Sequence, residues 1–114
     1  MAIYNFPTQL SGDSFDGVNW TLTDANGDPM PITDATVKIQ FRARTKTGAI
    51  ALELSEADGI ALGGVDSNEI TVNAINAVNL TPGIYYYDVE ITFSDGSVKT
   101  YIEGTWTINQ DTTR

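Results

Sequence analysis

The chain contains no cysteine and no histidine among its 114 residues. Without cysteine there is neither a disulfide nor a thiolate metal site. Without histidine, imidazole zinc sites, Ser-His and Cys-His nucleophiles and titration near neutral pH are excluded together. Positive charge is also scarce: six lysines and arginines stand against fifteen aspartates and glutamates, leaving a net charge of −9. Lys38, Arg42, Arg44, Lys46 and Lys99 form no basic footprint of the kind that displaces counterions from nucleic acid or holds a protein on an anionic membrane. No run approaches the ~20 apolar residues of a membrane span. The opening residues, Met1-Ala2-Ile3-Tyr4-Asn5-Phe6, lack the basic start and apolar core of a signal peptide. These absences lead us to expect a soluble protein with no metal and no cofactor, and with neither nucleic acid nor membrane as partner. An acidic surface keeps such a chain dispersed, or steers it toward a basic partner.

What is present is a series of strand signals separated by turns. At this length the chain is one domain on the usual prior of roughly 100–200 residues. Residues 15–23 alternate Val18, Trp20 and Leu22 against Asn19, Thr21 and Thr23. Residues 35–45 alternate Val37, Ile39, Phe41 and Ala43 against Lys38, Gln40, Arg42 and Arg44, which marks a half-buried strand with Phe41 inward. Shorter strand candidates lie at 49–54, 60–62 and 69–72. Residues 74–80 can form one helical turn capped by Asn73, before Thr81-Pro82-Gly83 stops it. Tyr85, opening a strand just after that Pro-Gly corner, resembles the tyrosine corner of immunoglobulin-like sandwiches. The pattern predicts an all-β chain, an immunoglobulin-like β-sandwich of about seven antiparallel strands. Residues 1–10 read as an N-terminal segment or first strand, and 11–114 as the sandwich domain.

The last third carries the clearest local signal. Two alternating runs, 85–93 and 98–108, flank Ser94-Asp95-Gly96-Ser97, and Asp-Gly between such runs predicts a two-residue type I′ hairpin. The register then follows by counting outward from Phe93 opposite Val98. One face pairs Ile91 with Thr100, Val89 with Ile102, Tyr87 with Gly104 and Tyr85 with Trp106, and it is apolar enough to be the core face. Gly104 would leave room for the Tyr87 ring to lie across the neighbouring strand. The other face pairs Thr92 with Lys99, Glu90 with Tyr101, Asp88 with Glu103 and Tyr86 with Thr105. Like charges directly opposite, as at Asp88 and Glu103, destabilise a sheet. Either both carboxylates are solvated, with Lys99 diagonal to Glu90 softening the field, or a cation or a partner's Lys or Arg sits between them. Tyr86, Asp88, Glu90, Tyr101 and Glu103 are therefore the candidate interaction face, since exposed aromatics are enriched at interfaces.

Other motifs do not reach a chemistry. Asp24-Ala25-Asn26-Gly27-Asp28 places oxygen ligands at alternate positions, as calcium loops do. Met30 and Pro31 follow where an EF-hand needs glycine, and Ala35 stands where it needs glutamate, so a plain turn is expected. Gly63-Gly64 is not followed by a helix or by Lys-Ser/Thr, so it is no phosphate loop. Carboxylate pairs at glycosidase spacing arise by chance in so acidic a chain. No enzyme, no catalytic residue and no metal ligand is predicted.

Several segments in order carry a family resemblance. Gly12-Asp13-Ser14-Phe15 leads into the first long strand, residues 22–29 make a turn, and 32–41 follow as the next strand. Residues 80–89, then Asp95-Gly96, Gly104-Thr105-Trp106-Thr107-Ile108 and the closing Gln110-Asp111-Thr112-Thr113-Arg114 complete the series. In this order they resemble small bacteriophage structural proteins with an immunoglobulin-like fold, similar to the N-terminal domain of phage upper-baseplate and tail-fibre proteins. The resemblance implies a non-enzymatic virion component of head, neck, tail or baseplate, found in the virion and in host cytoplasm during assembly. It implies docking on other virion proteins, as a symmetric homo-oligomer or in multiple copies, and supplies no catalytic residues. The chain ends at Arg114 with no fibre or receptor-binding module behind it, so host contact is not expected from it. Two other readings stay open: a surface-exposed phage adhesin binding host glycan, and an acidic phage-encoded inhibitor of a host protein.

Overall fold

The computed structural model describes residues 2–56 and 58–110. Among them are nine strands and no helix: β1 Ala2–Ile3, β2 Phe6–Leu10, β3 Val18–Thr21, β4 Thr36–Ala43, β5 Ile50–Glu56, β6 Gly59–Gly63, β7 Glu69–Val72, β8 Gly83–Thr92 and β9 Val98–Asn109. The all-β expectation is met, with nine strands in place of about seven. The ladder runs β1-β9-β8-β4-β5-β6-β7-β3, and β2 adds to β9 beyond β1. Not every pair is antiparallel. β1 and β2 run parallel to β9, and β5 meets β6 in a short parallel step at Ser55–Gly59 and Glu56–Ile60. At that step the strand path turns a corner, so that β6, β7 and β3 lie over the sheet of β4, β8 and β9. The layers meet through rings: Trp20 of β3 stacks on Tyr87 of β8 at 6.3 Å between centroids.

The alternation of β4 explains its place. Val37, Ile39 and Phe41 point inward and are buried, while Lys38, Gln40 and Arg42 point outward. β8 answers in register, with Phe41 opposite Tyr87, Ile39 opposite Val89 and Val37 opposite Ile91. Trp106 of β9 and Phe6 of β2 complete the aromatic centre, 5.1 Å apart. The tyrosine corner is present: the Tyr85 hydroxyl donates to the Thr81 carbonyl.

Three expectations are corrected. Residues 74–80 form no helical turn, because their backbone is committed elsewhere. Ile75 and Phe15 exchange backbone hydrogen bonds at 2.8 Å, and Val78 N–H donates to Asp13 at 2.9 Å. The hairpin turn is a three-residue loop, not a two-residue type I′ turn. Phe93 N–H donates to Ser97 at 2.8 Å and Gly96 N–H to Phe93 at 2.9 Å. The left-handed residue is Gly96, at φ 89°, as such a loop requires. Inside it, the Ser97 hydroxyl and N–H both donate to Asp95 Oδ1, at 2.7 and 2.9 Å, which holds that carboxyl below its ordinary range.

The longer loop moves the register by one near the turn. Ile91 faces Lys99 and Glu90 faces Thr100, whereas Val89 faces Ile102 as expected. The extra residue is Tyr101, a β-bulge that restores the register lost at the turn. Finally, Gly104 serves a different neighbour from the one expected. A Cβ there would lie 1.8 Å from the Tyr4 carbonyl oxygen, so the close approach is between two backbones. The N-terminal segment steps over β9 at this point, and Tyr4 O accepts from the Tyr87 hydroxyl. Residues 111–114 of the closing segment that contributed to the family resemblance lie outside the described residues.

Candidate functional site

β8 and β9 project Tyr86, Asp88, Glu90 and Glu103 to the outer side of the main sheet, and the ladder with β4 sets their neighbours. Arg42 stands opposite Tyr86, Gln40 opposite Asp88 and Lys38 opposite Glu90, while Asp88 faces Glu103 on the other side. Together with Gln40, Arg42 and Lys46, the four predicted residues line one open concavity of about 230 Å³. Four of the five candidate residues are thus brought together. Tyr101 is not with them: the bulge rotates it to the other side of β9, where its ring meets Phe93 edge-on at 6.2 Å. Lys99 is likewise not across from Thr92, so Lys38 and not Lys99 is the cation beside Glu90 in the ladder.

The site's cations come from β4 and the turn that follows it. Lys46 Nζ lies 3.5 Å from Glu103 Oε2, and it is the one ion pair among the described residues. Its side chain is 71% exposed, so this contact is weak and salt-sensitive. Arg42 is spent mainly on its own hairpin, donating to the Gly48 carbonyl at 2.8 Å and to Gln40 Oε1 at 3.1 Å. Gln40 in turn donates to Glu53 Oε2 at 2.6 Å. The outward alternation of residues 38–44 marked Gln40 and Arg42 as surface residues. Only the pairing of β4 with β8 shows that they share a site with Asp88, and no local signal placed Lys46 there.

Acidic repulsion is therefore only partly relieved. The Asp88 carboxyl is held above the ordinary aspartate range, first by burial, then by Glu90 and Glu103, with Arg42 and Lys46 pulling the other way. A carboxyl raised by the fold binds its proton more tightly in the folded state. Its charge costs stability at neutral pH, and the cost is relieved as pH falls through the folded pKa. Asp88→Asn is expected to raise stability at neutral pH by roughly 0.2–1 kcal/mol, the range for cross-strand pairs. The gain should shrink as pH is lowered into the carboxylate range. Urea midpoints of the two proteins at neutral and acidic pH measure it; a loss at neutral pH would mean Arg42 and Lys46 outweigh the acids.

The arrangement offers charge and an aromatic edge, without a paired nucleophile and base. Among the described residues no group of three or more His, Cys, Asp or Glu side chains could hold a metal ion. The calcium-like run folds as a turn: Asp24 Oδ1 accepts from the N–H groups of Asn26 and Asp28 at 2.9 and 3.0 Å, and Thr23 bridges Pro29.

No protein-family model matches the chain, and no curated protein matches it. Among solved structures, CopC from Methylosinus trichosporium OB3b is similar, with a TM-score of 0.48 and 16% identity over 90% of this chain and 84% of that chain. A likeness this distant says nothing of what the present chain binds. The comparisons do correct the reading as a phage virion component. CopC is not a phage protein, and nothing among families or curated proteins supports a head, tail or baseplate role. The phage adhesin and phage inhibitor alternatives fall with it.

Proposed function

We propose that this chain is a binding domain without chemistry of its own, whose outer sheet face receives a cationic group carried by a partner protein. One observation carries the reading: Asp88, Glu90 and Glu103 share a concavity in which a single exposed lysine reaches one of them. An incoming Lys or Arg would relieve repulsion that the fold leaves in place. Tyr86 at the same face offers a ring against which a guanidinium can lie. The net charge of −9 would draw such a partner in and disfavours nucleic acid and anionic membrane.

A short arginine-containing peptide, titrated at low salt into isotope-labelled protein, tests this. Amide shifts are expected at residues 40–46, 86–90 and 102–105, with an affinity of about millimolar from a few exposed contacts. They should fade with added salt and vanish in Asp88→Asn/Glu103→Gln. Binding that survives the double variant, or maps elsewhere, overturns the reading.

A further inference from the structure

We propose that the seam between β1 and β3 takes an extended, basic segment of a partner protein as an added strand. β3 stands at one end of the ladder and, among the described residues, pairs only with β7. Leu22 N–H points inward along that ladder to Asn68, at 2.8 Å. By antiparallel alternation, the backbone groups of Asn19 and Thr21 point away from β7, toward an unoccupied edge. β1 stands at the ladder's opposite end, and the curl of the sheet brings the two ends to face one another. Between them lies a cavity of about 420 Å³, walled by Ile3 and Tyr4 on one side and by β3 on the other, with Trp20, Met30 and Tyr101 lining it. Ile3 at its rim is 73% exposed. An unpaired backbone edge beside a trough floored by Trp20, Met30 and Tyr101 and rimmed by Asn19, Thr21 and Thr23 is a combination that strand addition can use. Main-chain bonds supply affinity, and alternate side chains fill the trough.

Charge selects the occupant. No lysine or arginine precedes Lys38, whereas Asp13, Asp16, Asp24, Asp28 and Asp34 all fall within that stretch. Asp16 lines a second hollow that shares Tyr4 with the first, and Asp24 follows directly on the Thr23 wall. The lining itself carries no charge, but Asp16 and Asp24 flank it in a chain of net charge −9, so the seam repels an acidic strand and attracts a basic one. The occupant is therefore a segment with apolar residues facing the trough and Lys or Arg at the alternate positions. The seam is distinct from the Asp88 concavity, which lies on the outer face of the main sheet and engages side chains, not backbone.

The test uses the full chain and a synthetic peptide of about eight residues, a typical strand length, alternating valine and lysine. Hydrogen exchange read by NMR should slow about tenfold or more at Asn19 and Thr21, as for amides newly drawn into a ladder. The same peptide with glutamate for lysine, or with serine for valine, should give no such protection. N-methylation of its backbone on the pairing edge should abolish it, and so should Thr21→Pro, a change edge strands tolerate. Should Thr21→Pro fail to fold, the N-methyl peptide decides the same point. Equal protection by the glutamate or N-methyl peptide overturns the proposal, as do changes confined to residues 86–90 and 103–105.

Discussion

Phe6→Ala is expected to lower the free energy of unfolding by about 3–5 kcal/mol, the usual cost of removing a buried ring. Phe6 is 5% exposed, and its ring lies 5.0 Å from Tyr87, 5.1 Å from Trp106, 5.7 Å from Phe15 and 5.8 Å from Phe41. Those neighbours belong to the middle of the main sheet and to the segment entering β3. The cavity left by alanine would open at the junction of the two layers, where neither can collapse without moving the other. A domain of this size has about 5–15 kcal/mol in hand, so the variant should sit near the edge of folding. Urea unfolding with an unchanged slope and a much lower midpoint would show it. A loss below about 1 kcal/mol would mean that the N-terminal strand does not belong to the core.

Gly104→Ala should act on the same strand from the other side. The new Cβ would fall 1.8 Å from Tyr4 O and 2.7 Å from Tyr4 C, which no rotamer change can relieve because both are backbone. Residues 4 and 5 would have to lift away. With them would go the Tyr4 N–H bond to Glu103 at 2.9 Å, the Asn5 side-chain contact with Thr105 N–H at 3.1 Å, and the acceptor of the Tyr87 hydroxyl. Overpacking and a stranded hydroxyl together should cost about 2–4 kcal/mol. Hydrogen exchange gives the decisive readout: protection should collapse at Tyr4 and Thr105 while the β4–β8 ladder keeps its own. Uniform loss across both ladders would point to a global defect instead.

The parts of the fold legible in the chain are those governed by neighbours in sequence. The inward side of β4 followed from alternation, and the pairing of Val89 with Ile102, Tyr87 with Gly104 and Tyr85 with Trp106 from counting outward from the Asp95-Gly96 turn. That count succeeded through two offsetting errors, since the turn holds one residue more than expected and Tyr101 takes up the difference. Nothing in the local pattern distinguishes a bulged tyrosine from a paired one, so its loss from the candidate site could not be read in advance. The role of Phe6 was hidden because Phe6–Leu10 has no period-two alternation and its partner strand begins near residue 98. Residues 74–80 carry a capping asparagine and helix-compatible residues, yet bonds to residues 13 and 15 outweigh that weak preference. For the site, the carboxylates of β8 and β9 were legible because they lie on one hairpin. Arg42 and Lys46 were not, because their position depends on β4 lying beside β8.

The parallel alignment of the N-terminal strands with β9 has a mechanical consequence. Ala2 pairs with Ile102 and Leu10 with Asn109, so both run the same way along a molecule whose longest extent is 45 Å. Ala2 and Asn109 are therefore seven residues of β9 apart, about 23 Å along the strand direction. Tension applied between Ala2 and Asn109 would slide β2 along β9 in opposite senses, loading their hydrogen bonds together in shear instead of peeling them one at a time. The ring of Phe6, packed on Tyr87, Phe41 and Trp106, would have to leave the core before that ladder could slide.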